Sequence, residues 1–144
     1  MKPSFSIIVP CCDVEAFARD CFDSVLSQPF RDWELLAVVE TSKDGTEAIV
    51  REYAAKDPRI SVSTQPRSGS PAAPRNTALE RATGEYVIFL DGDDTIAEGS
   101  LQRLHYSATR ISPDWFFPME MYIAITLKAS GVGMAFLKKR DSAK

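Results

Sequence analysis

Four short strand-like runs, FSIIV at 5–9, WELLAVV at 33–39, ISVS at 60–63 and YVIFL at 86–90, are each followed by a polar loop and then by a segment of helical periodicity. A strand that returns to its own sheet after a helix does so as a parallel neighbour, and the intervening helix must cover one face of that sheet. The alternation therefore dictates an α/β fold: a mostly parallel, Rossmann-like sheet with helices on both faces. Helices are expected over 14–26, with Asp13 placed as cap, over 46–55 after a turn at 41–45, over 71–82 and over 101–111. Pro71 and Pro74 fall in the first turn of the third helix, where proline is tolerated, and Gly84 is read as its stop.

In such a sheet, ligands gather beyond the carboxyl ends of the strands, where loops of several units converge. Those loops are PCCD, VETSKDG, QPRSGS and DGDD. With a formal net charge of -3 the chain has no basic field to hold nucleic acid. Cys11, Cys12 and Cys21 cannot all pair with one another and lack the spacing of a zinc or redox motif, so they are read as reduced thiols. The apolar run near the amino terminus is too short for the core of a signal peptide. Residues 115–137 are apolar but interrupted by Pro118, Glu120 and Lys128, a poor fit to a membrane span. The expectation is a protein of the cytoplasm, or one lying peripherally at the inner face of the membrane.

YVIFLDGDD drives a buried strand into Asp91, Asp93 and Asp94. Like charges this close oppose one another's ionisation unless a cation intervenes. Oxygen ligands suit magnesium, manganese or calcium, and a magnesium-type site leaves coordination positions for water and substrate phosphate. A solvated acidic turn is the alternative reading; an EF-hand is opposed by Ile96, where a calcium loop needs glycine.

SIIVPCCDVEAFARDCFDSVLSQPFRDWELLAVVE, then SKDGT, PRNTALERATGEY and VIFLDGDD, in that order over about the first 110 residues, resemble the nucleotide-binding half of family 2 glycosyltransferases of the GT-A fold. The resemblance implies a nucleotide diphosphate sugar donor (a UDP-sugar by family habit), a divalent cation, Mg or Mn, and transfer with inversion. It places Pro10, Cys12 and Asp13 near the nucleotide base, with Cys12 standing where the family has an aromatic. Val39 and Glu40 stand for the family's paired aspartates, leaving Glu40 to accept a hydrogen bond from the base. Asp44 and Gly45 match the end of that motif, as base contacts or as a turn and helix start. Arg75 and Asn76 match an Arg-Asn pair; Arg75 would reach phosphate, orient the aspartates, or form a surface ion pair. Asp91 and Asp93 match the DxD pair, with Asp93 on the metal, Asp91 on ribose or on metal through water, and Asp94 as an extra ligand.

The readable pattern spans 1–112, and 113–144 reads as an incomplete acceptor-side segment or tail. No general base is recognisable in it; Glu120 and Asp141 are its acids after Asp114, and Phe116 and Phe117 read as core. The acceptor, a sugar, lipid or polysaccharide, is not encoded in any motif. An uncovered acceptor-side face rich in aromatics would favour a homodimer. Two other readings stand beside the transferase. FLDGDDT also fits the DxDxT of haloacid dehalogenase-like magnesium phosphohydrolases, with Asp91 as nucleophile and Asp93 as acid; the three βα units preceding it argue against that class. The other is a non-catalytic module that binds a nucleotide sugar or dimerises. His105, in the fourth helix, is read as a surface or half-buried histidine rather than a ligand.

Overall fold

The computed structural model describes residues 2–110 and the backbone of three short strands at 126–128, 131–133 and 137–139. The expected segment 113–144, with Phe116, Phe117, Glu120 and Asp141, otherwise lies outside the described residues. The order is β1 (Phe5–Cys11), α1 (Glu15–Leu26), β2 (Trp33–Glu40), α2 (Thr46–Lys56), β3 (Ile60–Gln65), α3 (Ala72–Arg81), β4 (Tyr86–Phe89) and α4 (Ser100–Arg110), followed by β5 (Thr126–Lys128), β6 (Gly131–Gly133) and β7 (Leu137–Lys139).

The main sheet runs β3-β2-β1-β4-β7. The first four strands are parallel, as their helical crossovers require, and β7 adds an antiparallel edge on β4. β1 lies at the centre, so its Ile7, Ile8 and Val9 are all fully buried, and a strand covered on both faces reads as an unbroken apolar run. The side chains alternate between two cores. Phe5, Ile7 and Val9 join Leu35, Ala37 and Ile88 beneath α1, α2 and α4, whereas Ile8, Leu36, Val38 and Val87 meet Ala78 and Ala82 around α3. Phe22 of α1 is fully buried, its ring 5.2 Å from that of Tyr53 in α2; truncating such a residue to alanine typically costs about 3–5 kcal/mol. His105 is half-buried, its ring 4.8 Å from Phe30 and 6.3 Å from Phe5.

The chain builds outward from β1 through β2 to β3, then returns to place β4 on the other side of β1. That reversal explains why α3 sits on the face opposite α1 and α2, since each crossover keeps the right-handed sense. It also creates a switch point between β1 and β4, where Pro10 and Asp91 emerge side by side.

Three local expectations are corrected. Asp13 does not cap α1: the cap position is Val14, without a side-chain capping bond, and Asp13 has a positive φ of 51°. Gly84 does not stop α3, which gives way to extended backbone at Ala82. Glycine is needed at 84 because a Cβ there would stand 2.5 Å from the backbone nitrogen of Ser6. β1 also continues past Pro10 to Cys11. The Pro10 carbonyl accepts from Gly92 N, so its nitrogen faces the 90–92 segment. Leu90 N to Ile8 O and Gly92 N to Pro10 O carry the pairing across the proline, which forgoes only the one bond its missing N–H would have donated.

Candidate functional site

At the switch point, the strand ends and the β3–α3 loop enclose a cleft of about 390 Å³. Pro10 lines it from β1 and Cys12 from the residue just after that strand, Glu40 from β2, Arg67 from the β3–α3 loop, Arg75 from α3, and Asp91 and Asp93 from the β4 loop. The structure thus brings together six of the residues singled out in the sequence, Pro10, Cys12, Glu40, Arg75, Asp91 and Asp93. Asp13 stands just outside this lining. Its Oδ1 accepts from Lys43 N at 2.7 Å, and its Oδ2 pairs with Arg67 Nη1 at 2.8 Å.

The left-handed backbone of Asp13 follows from these two non-local bonds, which turn the carboxylate away from α1. The helix start is held from the next unit instead. Asp44 Oδ2 accepts from Glu15 N at 3.1 Å, and Thr46 Oγ1 accepts from Val14 N at 2.9 Å. Asp44 Oδ1 meanwhile accepts from Thr46 N and from the Thr46 hydroxyl, fixing the first turn of α2. The Thr46 hydroxyl is the main reason that the Asp44 carboxyl is held below its ordinary range. Of the two roles open to Asp44, the described contacts are those of the turn and helix start.

Glu40 is only 5% exposed, and a buried carboxylate must be hydrogen-bonded. Its Oε1 accepts from the Ser68 hydroxyl at 2.5 Å, from Ser68 N at 3.0 Å and from Gln65 Nε2 at 3.3 Å. Ser68 chiefly, through its hydroxyl, holds the Glu40 carboxyl below its usual value. Glu40 therefore moors the β3–α3 loop against the strand ends. Arg67 and Ser68 were not identified from sequence. The QPRSGSP punctuation marked the loop, but the partners of these two residues are Asp13, in the turn after β1, and Glu40, at the end of β2.

On the opposite wall, Arg75 Nη2 donates to Asp91 Oδ1 at 2.6 Å, and the guanidinium lies over the Phe89 ring. Both side chains are partly exposed, at 31% and 45%, so the pair fixes a geometry more than it stabilises the fold. Gly92 lets the acidic loop approach β1: a Cβ there would stand 3.0 Å from Pro10 O and 3.3 Å from Cys11 Sγ. Burial pushes the Cys11 thiol up to about 12, with Cys12 adding to it, and pushes Cys21 well up too. Neither is a thiolate nucleophile at neutral pH.

One carboxylate oxygen from each of Asp91, Asp93 and Asp94 falls within 4.8 Å of the others. Oxygens on opposite sides of a hard divalent ion are about 4–5 Å apart, so this all-oxygen set fits magnesium, manganese or calcium in both chemistry and spacing.

A parallel sheet with a switch-point cleft, an acidic rim after β4 and a moored carboxylate after β2 is the arrangement of a GT-A fold domain, and the comparisons with known proteins bear this out. The model for glycosyl transferase family 2 matches residues 6–118, and the chain belongs to that family. It is 41% identical over 104 residues to EpsJ of Bacillus subtilis (strain 168), an uncharacterized glycosyltransferase, which covers 72% of this chain and 30% of that protein. The crystal structure of Staphylococcus aureus TarS 1-349 in complex with UDP-GlcNAc matches with a TM-score of 0.71 and 31% identity, over 85% of this chain and 38% of that one. The mannosyltransferase PcManGT of Pyrobaculum calidifontis in complex with GDP-Man and Mn2+ matches with a TM-score of 0.63 and 28% identity, over 71% and 31% of the two chains. The chain thus spans less than half the length of these relatives. Membership of this family sets aside the phosphohydrolase reading.

Proposed function

We propose that the cleft binds the nucleotide diphosphate sugar donor of an inverting sugar transfer, with uridine diphosphate as carrier, and that Asp93 and Asp91 hold magnesium or manganese beside the donor phosphates. The observation that carries this reading is the meeting of Pro10, Glu40, Arg75, Asp91 and Asp93 on one cleft, although they come from four different strand ends and helix starts. The complexes of TarS with UDP-GlcNAc and of PcManGT with GDP-Man and Mn2+ support the donor class and the cation.

Glu40 Oε2 is assigned to accept from the base, while Oε1 keeps the β3–α3 loop in place. Pro10 and Cys12 form the wall beside the base, and Asp13 acts from outside by setting Arg67. Arg75 holds Asp91 in the orientation in which its carboxylate meets the ribose, or the cation through water. When bound, the divalent ion supplies Lewis-acid stabilisation of the departing diphosphate. Cys12 offers little stacking surface, so affinity for the base rests on hydrogen bonding more than on an aromatic platform. We place the protein in the cytoplasm, where its free thiols stay reduced. Among the described residues, no helix is long and apolar enough to cross a membrane.

Calorimetric titration of uridine, guanosine and thymidine diphosphates, each with and without manganese, tests the reading. The expected result is preferential uridine diphosphate binding that manganese tightens about tenfold or more, ~1.4 kcal/mol. Absence of binding under every condition overturns it.

A further inference from the structure

Two backbone bonds fold the acidic loop on itself, Asp94 N to Asp91 O at 2.9 Å and Ser100 N to Ala97 O at 3.1 Å. A second set of bonds reaches it from α1 and the residue two places beyond that helix. The Cys21 thiol donates to Asp91 O, with sulfur and oxygen 3.6 Å apart. Ser24 Oγ accepts from Ile96 N at 3.0 Å. Gln28 Nε2 donates to Ala97 O at 2.9 Å, and Gln28 Oε1 accepts from Leu101 N at 3.3 Å.

Cys21, Ser24 and Gln28 are separated by three and four residues, the spacing that puts side chains on one stripe. All four bonds end on backbone, three on the loop and one on Leu101 in the first turn of α4, so they locate the loop and its exit whatever its side chains are. Gln28 is 1% exposed and uses both ends of its amide. A buried amide leaves loop groups unpaired if it is removed, which makes its contacts costly to lose. None of the three lies near the loop in sequence; Gln28 is 69 and 73 residues from its two backbone partners.

We propose that Ser24 and Gln28 are positioning residues for the cation-binding carboxylates, acting through the backbone of 91–101 to hold Asp91 and Asp93 at ligand spacing. The inference rests on the metal–nucleotide reading above and adds to it a dependence of cation affinity on a helix stripe that touches neither cation nor nucleotide. Ser24 hands the loop an acceptor while its own proton goes to Cys21 O at 2.7 Å. The loop is therefore held by a side chain already fixed in its rotamer.

The test uses the whole 144-residue chain and the variants Ser24→Ala, Ser24→Thr and Gln28→Leu. Manganese binding is followed by the electron paramagnetic resonance of free Mn2+ at saturating uridine diphosphate. Metal-free uridine diphosphate affinity, thermal midpoint and amide exchange at Ile96 and Leu101 are measured in parallel. Ser24→Ala and Gln28→Leu are expected to weaken manganese binding about tenfold or more, as loss of groups that orient metal ligands does. Faster exchange at Ile96 or Leu101 should accompany this, with metal-free affinity unchanged and Ser24→Thr restoring the manganese affinity. If the wild-type chain gains from manganese and both variants keep that gain undiminished, the inference fails while the donor reading stands. Equal losses with and without metal also overturn it, because they mark a purely structural role. A wild-type chain without any manganese gain overturns the donor reading, and the inference falls with it.

Discussion

The same parallel strands end very differently at their two edges. At the amino edge, polar groups are matched among themselves: the Ser6 hydroxyl donates to Glu34 Oε1 and accepts from Gly84 N, while Thr83 donates to the same Glu34 oxygen through its amide and its hydroxyl. Gly84 packs so closely on Ser6 that no Cβ fits. At the carboxyl edge the groups converge on open space, with three carboxylates clustered and an ion pair turned toward a cleft. Closed polar networks specify a fold, whereas charges gathered at a cavity are arranged for something that arrives from outside.

The contrast is broken most strongly by Asp93→Asn. Removing the charge assigned to direct metal contact should weaken manganese-dependent uridine diphosphate binding about 100-fold, ~2.7 kcal/mol, while the thermal midpoint stays level or rises as like charges are relieved. Calorimetry and a melting curve on the same sample check both halves. Ser6→Ala should do the reverse. Deleting the hydroxyl leaves the buried Gly84 amide without its acceptor, so stability should fall by about 1–3 kcal/mol in urea unfolding, with nucleotide affinity unchanged.

The smallest effect expected is on pH dependence. The Glu40 carboxyl is held below 4.5, its ordinary value, so it takes up its proton more readily in the unfolded chain. Its contribution to stability is therefore complete above about 4.5 and is lost as pH falls below that value toward the folded one. Glu40→Gln should flatten this acidic limb of the stability curve and leave the neutral plateau's slope alone. An acidic limb unchanged by the substitution would show that Ser68 is not held through this charge.

Much of the site was legible because it is written locally. Apolar runs ending in PCCD, VETSKDG and DGDD fixed both the strands and the edge from which the loops leave. What escaped is what depends on distant partners. Asp13 has the composition and place of a helix cap, yet its carboxylate goes to Lys43 and Arg67, while α1 is held by Asp44 and Thr46 from the following unit. Gly84 looks like a helix stop, but its reason is the approach of β1, 78 residues away. Arg67, Ser68 and Gln28 carry no local signal, because periodicity reports only which face of its own element a residue occupies. Glu40 lines the cleft, yet the serine that engages it could be found only in three dimensions.

Asp44 gives the molecule a shared hinge pin. One side chain secures the opening turns of two helices: α1, which carries Cys21 and Ser24, and α2, which follows the strand ending in Glu40. On the proposed donor reading, loss of the Asp44 carboxylate would loosen both helix starts at once, and with them the supports on both sides of the cleft.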